Sequence, residues 1–426
     1  MTARDVARRV LDRVDRGGAW ATPTLDGELA RSGLDERDRR LASELVYGVL
    51  RNRARIDRAL AAHASLRRAP PRVVTALRLA AYQLLFLDRV PGYAAVDDAV
   101  TAARAAGGTR LAGFANAVLR KLAATREPPL PDDPRARVEI EHSLPAWIVD
   151  ELAAALPPDE HRLGELAAAL SQPAPLIVRA NALRTTRDAV IAELCAAGAT
   201  AEPIAAAPMA IAVDGLGDPA RSAGFGAGRW TVQDTGAQLV GLTAGPRPGQ
   251  RILDACAGVG GKSTHLAELT GDAARIDAAD QSRTKLDLAG ETAARLGIAS
   301  VTRVACDLLD PAAPIAAAYD LIVLDAPCTG LGVLRRHPDA KWRLQPGDVP
   351  RLAQLQRQLL DAVVPRLAPG GALVYSVCTF TRAEGPDQIA ALVARTGLKL
   401  VRELRTWPPD ADAFYIARLE RPLERT

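Results

Sequence analysis

Two cysteines stand where a thiol can act rather than pack. Cys328 closes Leu324-Asp325-Ala326-Pro327-Cys328, directly after the apolar run Leu321-Ile322-Val323-Leu324. Cys378 closes Tyr375-Ser376-Val377-Cys378, at the end of another such run. Each sits at the end of a segment that reads as a buried strand, and one has a carboxylate three residues ahead of it. The other three, Cys195, Cys256 and Cys306, read as small packing residues, Cys256 beneath a glycine-rich turn. Thiols are nucleophiles as thiolates, so these two positions suit covalent catalysis. Five scattered cysteines and five scattered histidines give no metal-site spacing and no disulfide framework, so a reducing cytoplasm and no bound metal are expected.

A third motif, Asp254-Ala255-Cys256-Ala257-Gly258-Val259-Gly260-Gly261-Lys262-Ser263-Thr264-His265, can be read three ways. A phosphate-binding P-loop needs a glycine where Cys256 stands, although the apolar run ending in Asp325 has the look of the second NTPase signature. A dinucleotide fingerprint needs a glycine where Ser263 stands. S-adenosylmethionine needs a tight glycine turn for close backbone approach. It also needs a carboxylate after the second strand for ribose hydroxyls and a polar group after the third, which Asp280 and Asp307 supply. This third reading also gives Asp254 a place.

The elements that must position these residues follow from pattern. RILDAC (251–256), RIDAAD (275–280), SVTRVACD (300–307), YDLIVLDAP (319–327) and GALVYSVC (371–378) are short apolar strands separated by helical stretches such as Lys285–Leu296. That is the rhythm of a doubly wound parallel sheet, in which ligands bind at the carboxyl ends of strands. Asp254, Asp280, Asp307, Asp325 and Cys378 should therefore line one crevice. Upstream, Val73, Leu77, Leu84 and Leu87 after Pro70-Pro71, and Leu111, Phe114, Val118 and Leu122, recur at helical spacing, and residues 44–51 add an amphipathic piece. A bundle of five to seven helices is expected. Pro128, Pro129, Pro131 and Pro134 mark a boundary. Beyond it PLIVRANAL (175–183) and MAIAVDG (209–215) read as strands flanking a helix over 185–197. The expected organisation is an all-helical domain at 1–126, a small α/β subdomain at 136–240 and an α/β domain at 241–426.

The chain has 426 residues with 48% apolar and 24% charged residues, so it is globular. Met1–Trp20 alternates charge with apolar residues and does not read as a signal peptide, and no apolar run reaches membrane-spanning length. Net charge is only +4, but residues 1–125 hold 22 Arg and Lys against 13 Asp and Glu. A segment at +9 on a chain otherwise at −5, with arginine as the main cation, favours a nucleic-acid partner.

The glycine turn, LDAPCTGLGVLRRHPDAKW (Leu324–Trp342) and YSVCT (Tyr375–Thr379) together resemble the three main motifs of RNA cytosine-C5 methyltransferases. RVPGYAAVDDAV (Arg89–Val100) and GFANAVLRKL (Gly113–Leu122) resemble the signature helices of the NusB RNA-binding fold, and GRWTVQDTGAQLV (Gly228–Val240) is also typical of this methyltransferase group. The combination is that of the bacterial 16S ribosomal RNA methyltransferases of Sun or Fmu type. The resemblance implies a Rossmann-like S-adenosylmethionine-dependent domain with a mostly parallel seven-stranded sheet, preceded by an all-α NusB-like bundle and a small α/β RNA-binding subdomain. It implies a cytoplasmic monomer acting on RNA, with no membrane or metal. Three positions depart from the pattern: Val259 stands for the usual proline, Ser376-Val377 precedes the second cysteine in place of Ser-Thr or Ala-Thr, and Glu384-Gly385 replaces a Glu-Asn pair.

Residue by residue, the resemblance makes Cys378 the nucleophile, Cys328 the group that assists product release, and Asp325 and Lys262 their catalytic companions. The cofactor would contact Asp254, Cys256, Ala257, Gly258, Val259, Gly260, Gly261, Lys262, Asp280, Arg283, Asp307, Asp325 and Pro327. Arg335, Arg336, His337, Lys341 and Trp342 would clamp RNA, the cations on phosphates and the indole by stacking. The chemistry explains the requirement: C5 of cytosine is a poor nucleophile until a thiolate adds at C6, and a carboxyl group at N3 favours that addition. A target base must leave its stack to be reached. The alternatives are the same chemistry on transfer RNA or another RNA, a P-loop NTPase, or a non-catalytic RNA-binding factor.

Overall fold

A computed structural model describes residues 1–88, 91–156 and 161–423. The first two residues of the RVPGYAAVDDAV motif, Arg89 and Val90, lie outside them. The chain divides into two units: residues 1–172 with 334–344, and residues 173–333 with 345–426. Among the described residues no helix is long and apolar enough to cross a membrane.

The first unit is helical. It holds α1 (Ala3–Gly17), α2 (Ala21–Ser32), α3 (Glu36–Arg51), α4 (Arg53–Ala61), α5 (Pro71–Phe86) and α6 (Gly92–Thr125). Local sequence dictates their ends. Thr2 and Asp5 form a reciprocal capping box on α1, Pro71 opens α5, and Gly107-Gly108 break α6 into two helical pieces. Val6, Val10, Leu45, Val49, Leu77 and Leu119 meet in one core. Three further helices, α7 (Pro134–Glu141), α8 (Ala146–Ala155) and α9 (His161–Ser171), also fall in this unit, so the stretch expected as a single subdomain at 136–240 is shared between two bodies.

The second unit carries two sheets. The smaller is antiparallel, in the order β2 (Thr200–Pro203), β3 (Ala210–Asp214), β1 (Leu176–Ala180), β4 (Trp230–Val232), with α10 (Arg187–Ala196) packed on it and the short α11 (Ala223–Gly226) before β4. After α12 (Thr235–Ala244) comes a seven-stranded sheet. Its order is β10 (Lys399–Arg405), β11 (Tyr415–Glu420), β9 (Leu367–Val377), β8 (Tyr319–Asp325), β5 (Arg251–Ala255), β6 (Arg275–Asp280), β7 (Val301–Ala305). Strands β5 to β9 run parallel, and β11 and β10 close the edge antiparallel. Helices α13 (Gly261–Leu269) and α14 (Arg283–Leu296) link the first three strands, while α16 (Asp348–Val363) and α17 (Pro386–Thr396) flank β9 in sequence. The chain travels outward from β5 to β7, then returns to lay β8 on the other side of β5. This reversal opens a crevice at the carboxyl ends of β5 and β8, where Asp254 and Asp325 stand.

The end of β1 fastens the small sheet to the large one. Asn181 donates to the carbonyls of Gly228 and of Leu296, the last residue of α14, at 2.8 and 2.9 Å. Arg179, fully buried, forms a two-pronged pair with Glu268 of α13 at 2.9 and 2.7 Å.

The segment Leu334–Leu344, containing the short α15 (Ala340–Arg343), corrects the expected phosphate clamp. Lys341 is 3% exposed and gives its ammonium to the carbonyls of Arg51 and His142 at 2.8 and 3.4 Å. The Trp342 indole N–H donates to the carbonyl of Leu50 at 2.6 Å, and Asp339 accepts from the backbone of Ala21 at 2.9 Å. Arg335 is buried, Arg336 half-buried, and His337 exposed. Leu50 and Arg51 are the last residues of α3, whose carbonyls have no partner within the helix. Lys341 and Trp342 therefore cap a helix C-terminus with their N–H groups, while burial and Arg51 lower the Lys341 pKa well below its ordinary value. Cation and aromatic composition looks the same for that role as for RNA binding.

Candidate active site

The glycine-rich turn leaves β5 at Ala255. Cys256 (φ 65°), Gly258 (φ 56°) and Gly260 (φ 79°) all adopt left-handed backbone, so the chain reverses within five residues into α13. A side chain on Gly260 would come within 2.8 Å of Ala289 Cβ, which explains why the turn can lie flat on α14. Asp280 organises the turn: its Oδ2 accepts from Gly258 N–H at 2.9 Å and its Oδ1 from Ser282 N–H at 2.8 Å. Asp254 lies underneath, fully buried, accepting from Ser263 Oγ at 2.5 Å. Burial pushes its carboxyl up to about 7, against the opposing pull of the Ser263 hydrogen bond and Lys262. Asp254 was expected to touch the cofactor; with no exposed surface, it shapes the turn from below. Cys256 is half-buried and lines a cleft of about 170 Å³ with Asp280, Lys285, Cys306, Leu308 and Pro327. Burial and then the nearby carboxylates push its thiol up to about 12, so it is a neutral wall.

This arrangement disfavours a triphosphate. An anion cradle offers free backbone N–H groups, whereas Gly258 spends its own on a carboxylate. Lys262, the counterpart of a P-loop lysine, is ion-paired to Asp325 at 2.5 Å. Carboxylates at 280 and 325 suit a ligand that carries a cation and hydroxyls.

Across the crevice the two thiols meet, with Cys328 Sγ 3.4 Å from Cys378 Sγ. The hydrogen bond to Cys378 and burial raise the Cys328 thiol well above its ordinary range, so Cys328 keeps its proton, and either thiol can donate to the other. Asp325 Oδ2 binds Lys262 Nζ, and its Oδ1 accepts from Ser376 Oγ at 2.8 Å. Burial presses the Lys262 ammonium toward neutrality, but Asp325, Asp254 and Cys378 together hold its pKa above the usual value. Gly332 N–H donates to the Cys378 carbonyl at 3.0 Å, and a side chain there would strike the Ala413 carbonyl at 1.9 Å.

The methyltransferase model described as 16S rRNA methyltransferase RsmB/F matches residues 242–420, a NusB family model residues 1–124, and an RsmF/B-like ferredoxin-like domain residues 144–218. A probable ribosomal RNA small subunit methyltransferase B of Synechocystis sp. is 34% identical over 91% of this chain and 88% of its own. The ribosomal RNA small subunit methyltransferase B of Pseudomonas putida is 34% identical over 98% of both. The chain belongs to the RsmB/F family of rRNA methyltransferases. Two solved structures share its fold. PH0851 covers 99% of each chain at TM-score 0.84 and 22% identity, and NSun6 from Pyrococcus horikoshii, solved with SFG, covers 65% of this chain and 98% of that one at TM-score 0.59 and 20% identity.

In this RsmB/F-family chain the structure brings Cys328, Cys378, Asp325 and Lys262 together, with the glycine turn, Asp280 and Pro327 around the adjoining cleft. Val259 is 53% exposed at the tip of the turn. Arg283 and Asp307 are exposed and do not line the cleft, although Cys306 and Leu308, on either side of Asp307, do. Cys306 packs against the core of the large sheet and also lines the cleft, whereas Cys195 is exposed, contrary to expectation. Residue types alone did not bring out Ser376, which orients Asp325, or Arg179 and Gln233, which both donate to the Gly261 carbonyl at the start of α13.

Proposed function

We propose that this protein methylates C5 of a cytosine in small-subunit ribosomal RNA, with S-adenosylmethionine as methyl donor and Cys378 as covalent nucleophile. The observation that carries the reading is the pair of thiols 3.4 Å apart beside the Lys262–Asp325 ion pair. A packing pair of cysteines would not call for a partly buried ion pair next to it.

The cleft edged by Cys256, Asp280, Lys285 and Pro327 fits the adenosine end of the cofactor, with the Asp280 carboxylate as hydroxyl partner. When bound, S-adenosylmethionine supplies a methyl group already activated on a sulfonium. The protein must make C5 reactive. Cys378 adds to C6, forming a carbon–sulfur bond and moving electrons toward N3 and C5. Asp325 faces the N3 side, and Lys262 is the proton reservoir behind it. After transfer, the C5–H electrons re-form the C5–C6 double bond as the C6–sulfur bond breaks; the Cys328 thiol passes its proton to the departing Cys378 sulfur and takes up the proton leaving C5. The basic helical unit supplies a salt-sensitive hold on RNA phosphates.

The test is transfer of labelled methyl from S-adenosylmethionine to unmodified 16S rRNA, with bisulfite mapping. One methylated cytosine, lost in Cys378→Ala, is expected. Transfer only to transfer RNA would move the substrate assignment; methylation surviving in Cys378→Ala would refute the covalent step.

A further inference from the structure

We propose that Glu384 is a positioning residue that holds Cys328 against Cys378, so that its loss yields an enzyme that methylates RNA but fails to release it. The inference rests on the cysteine roles proposed above.

Glu384 is fully buried, six residues beyond Cys378. Its carboxylate accepts four hydrogen bonds. Oε1 accepts from Thr329 N–H at 2.8 Å and from Gln356 Nε2 at 3.1 Å. Oε2 accepts from Thr329 Oγ1 at 2.6 Å and Thr381 Oγ1 at 2.8 Å. Thr329 directly follows Cys328, and its hydroxyl also meets that of Thr379, the residue directly following Cys378, at 3.0 Å. Gln356 of α16 completes the clasp by donating to the carbonyl of Pro327, the residue before Cys328, at 2.9 Å. The Glu384 backbone is pinned in turn by the Tyr375 hydroxyl at 2.6 Å.

The carboxylate thus grips the Cys328 loop directly at Thr329 and, through Gln356, at Pro327, and ties it to the loop that carries Cys378. Cys378 is held independently, at the end of β9 and by Gly332 N–H. Cys328 lies on an irregular turn after β8 and has no such ladder. Loss of the clasp should therefore displace Cys328 more than Cys378, sparing adduct formation and methyl transfer while impairing release. A group misplaced by about 1 Å loses on the order of a hundredfold in rate.

The full chain would be incubated with unmodified 16S rRNA and methyl-labelled S-adenosylmethionine. Label would be read in free RNA and in protein resolved under denaturing conditions. Glu384→Ala and the milder Thr329→Val are expected to accumulate labelled protein–RNA adduct while free product falls by roughly tenfold to a hundredfold. Glu384→Gln should restore release, because its amide can still accept from Thr329 N–H and donate to the threonine hydroxyls. If Glu384→Ala and Thr329→Val lose free product without accumulating adduct, Glu384 merely supports the fold and the inference fails. If Glu384→Gln fails to restore release, position is not what the carboxylate provides. Cys328→Ala is the reference: no adduct in that variant would overturn the release role itself, and this inference with it.

Discussion

Replacing Arg179 by Met should destabilise the second unit by stranding a charge, and the loss should be largely reversed by a second substitution. Arg179 and Glu268 have side chains 0% and 2% exposed and are joined by two parallel hydrogen bonds. Arg179 Nη1 also donates to the Gly261 carbonyl at 3.2 Å and Nη2 to Thr264 Oγ1 at 3.2 Å. Removing one partner of such a pair leaves an uncompensated buried charge and costs about 3–5 kcal/mol. Replacing both by apolar residues of similar volume is often near neutral. Burial already raises the Glu268 carboxyl, with Arg179 pulling against it, so without Arg179 it rises further. A carboxyl raised in the folded state favours folding at low pH, and that advantage is lost as pH rises through its folded value. The Arg179→Met deficit should therefore be larger at pH 8 than at pH 5. The assay is urea unfolding followed by tryptophan fluorescence, since Trp230 is fully buried in the same subdomain. Wild type, Arg179→Met, Glu268→Leu and the double variant would be compared. A double variant as unstable as Arg179→Met, or a deficit independent of pH, would refute the stranded-charge argument.

Three further outcomes are expected. Asp254→Asn should gain stability relative to wild type as pH rises from about 4 to about 7, by roughly 4 kcal/mol at most, because over that window the unfolded wild-type carboxyl gives up its proton while the folded one, raised to about 7, must keep it; urea midpoints at pH 5 and pH 8 check the sign. Lys341→Met should leave the salt dependence of RNA binding unchanged, whereas loss of a true phosphate contact would reduce the slope by about 0.7–0.9 per charge, as titrations at several salt concentrations would reveal. A dithiol oxidant such as diamide should inactivate wild type by drawing Cys328 and Cys378 from 3.4 Å to a disulfide of about 2.05 Å. Reductant should restore activity, and mass spectrometry should show the loss of two hydrogens in the peptide pair; inactivation without that pair would point elsewhere.

The strand pattern from Arg251 to Cys378 carried most of the catalytic architecture in one dimension. An apolar run can be buried on both faces only in a sheet covered by helices, and such a sheet exposes its strand ends. Asp254, Asp280, Asp325, Cys328 and Cys378 were legible for that reason. So was the helical unit, from the 3.6-residue spacing of its leucines and valines. The edge strand β10 and the short strands β2 and β4 were not read, because exposed or brief strands have no distinctive apolar run.

Only the tertiary structure decided what each polar residue was for. Lys341 and Trp342 have the composition of an RNA contact, yet the orphan carbonyls at the end of α3 claim them. Asp254 has the placement of a ligand contact, yet no part of it is exposed. Glu384 stands in sequence as half of an altered pair, yet it joins the loops of two cysteines fifty residues apart. Strand periodicity is a local property of the chain, since each residue's face follows from its neighbours. Whether a charge meets water, a carbonyl or another charge depends on segments distant in sequence, and that is fixed only when the chain closes on itself.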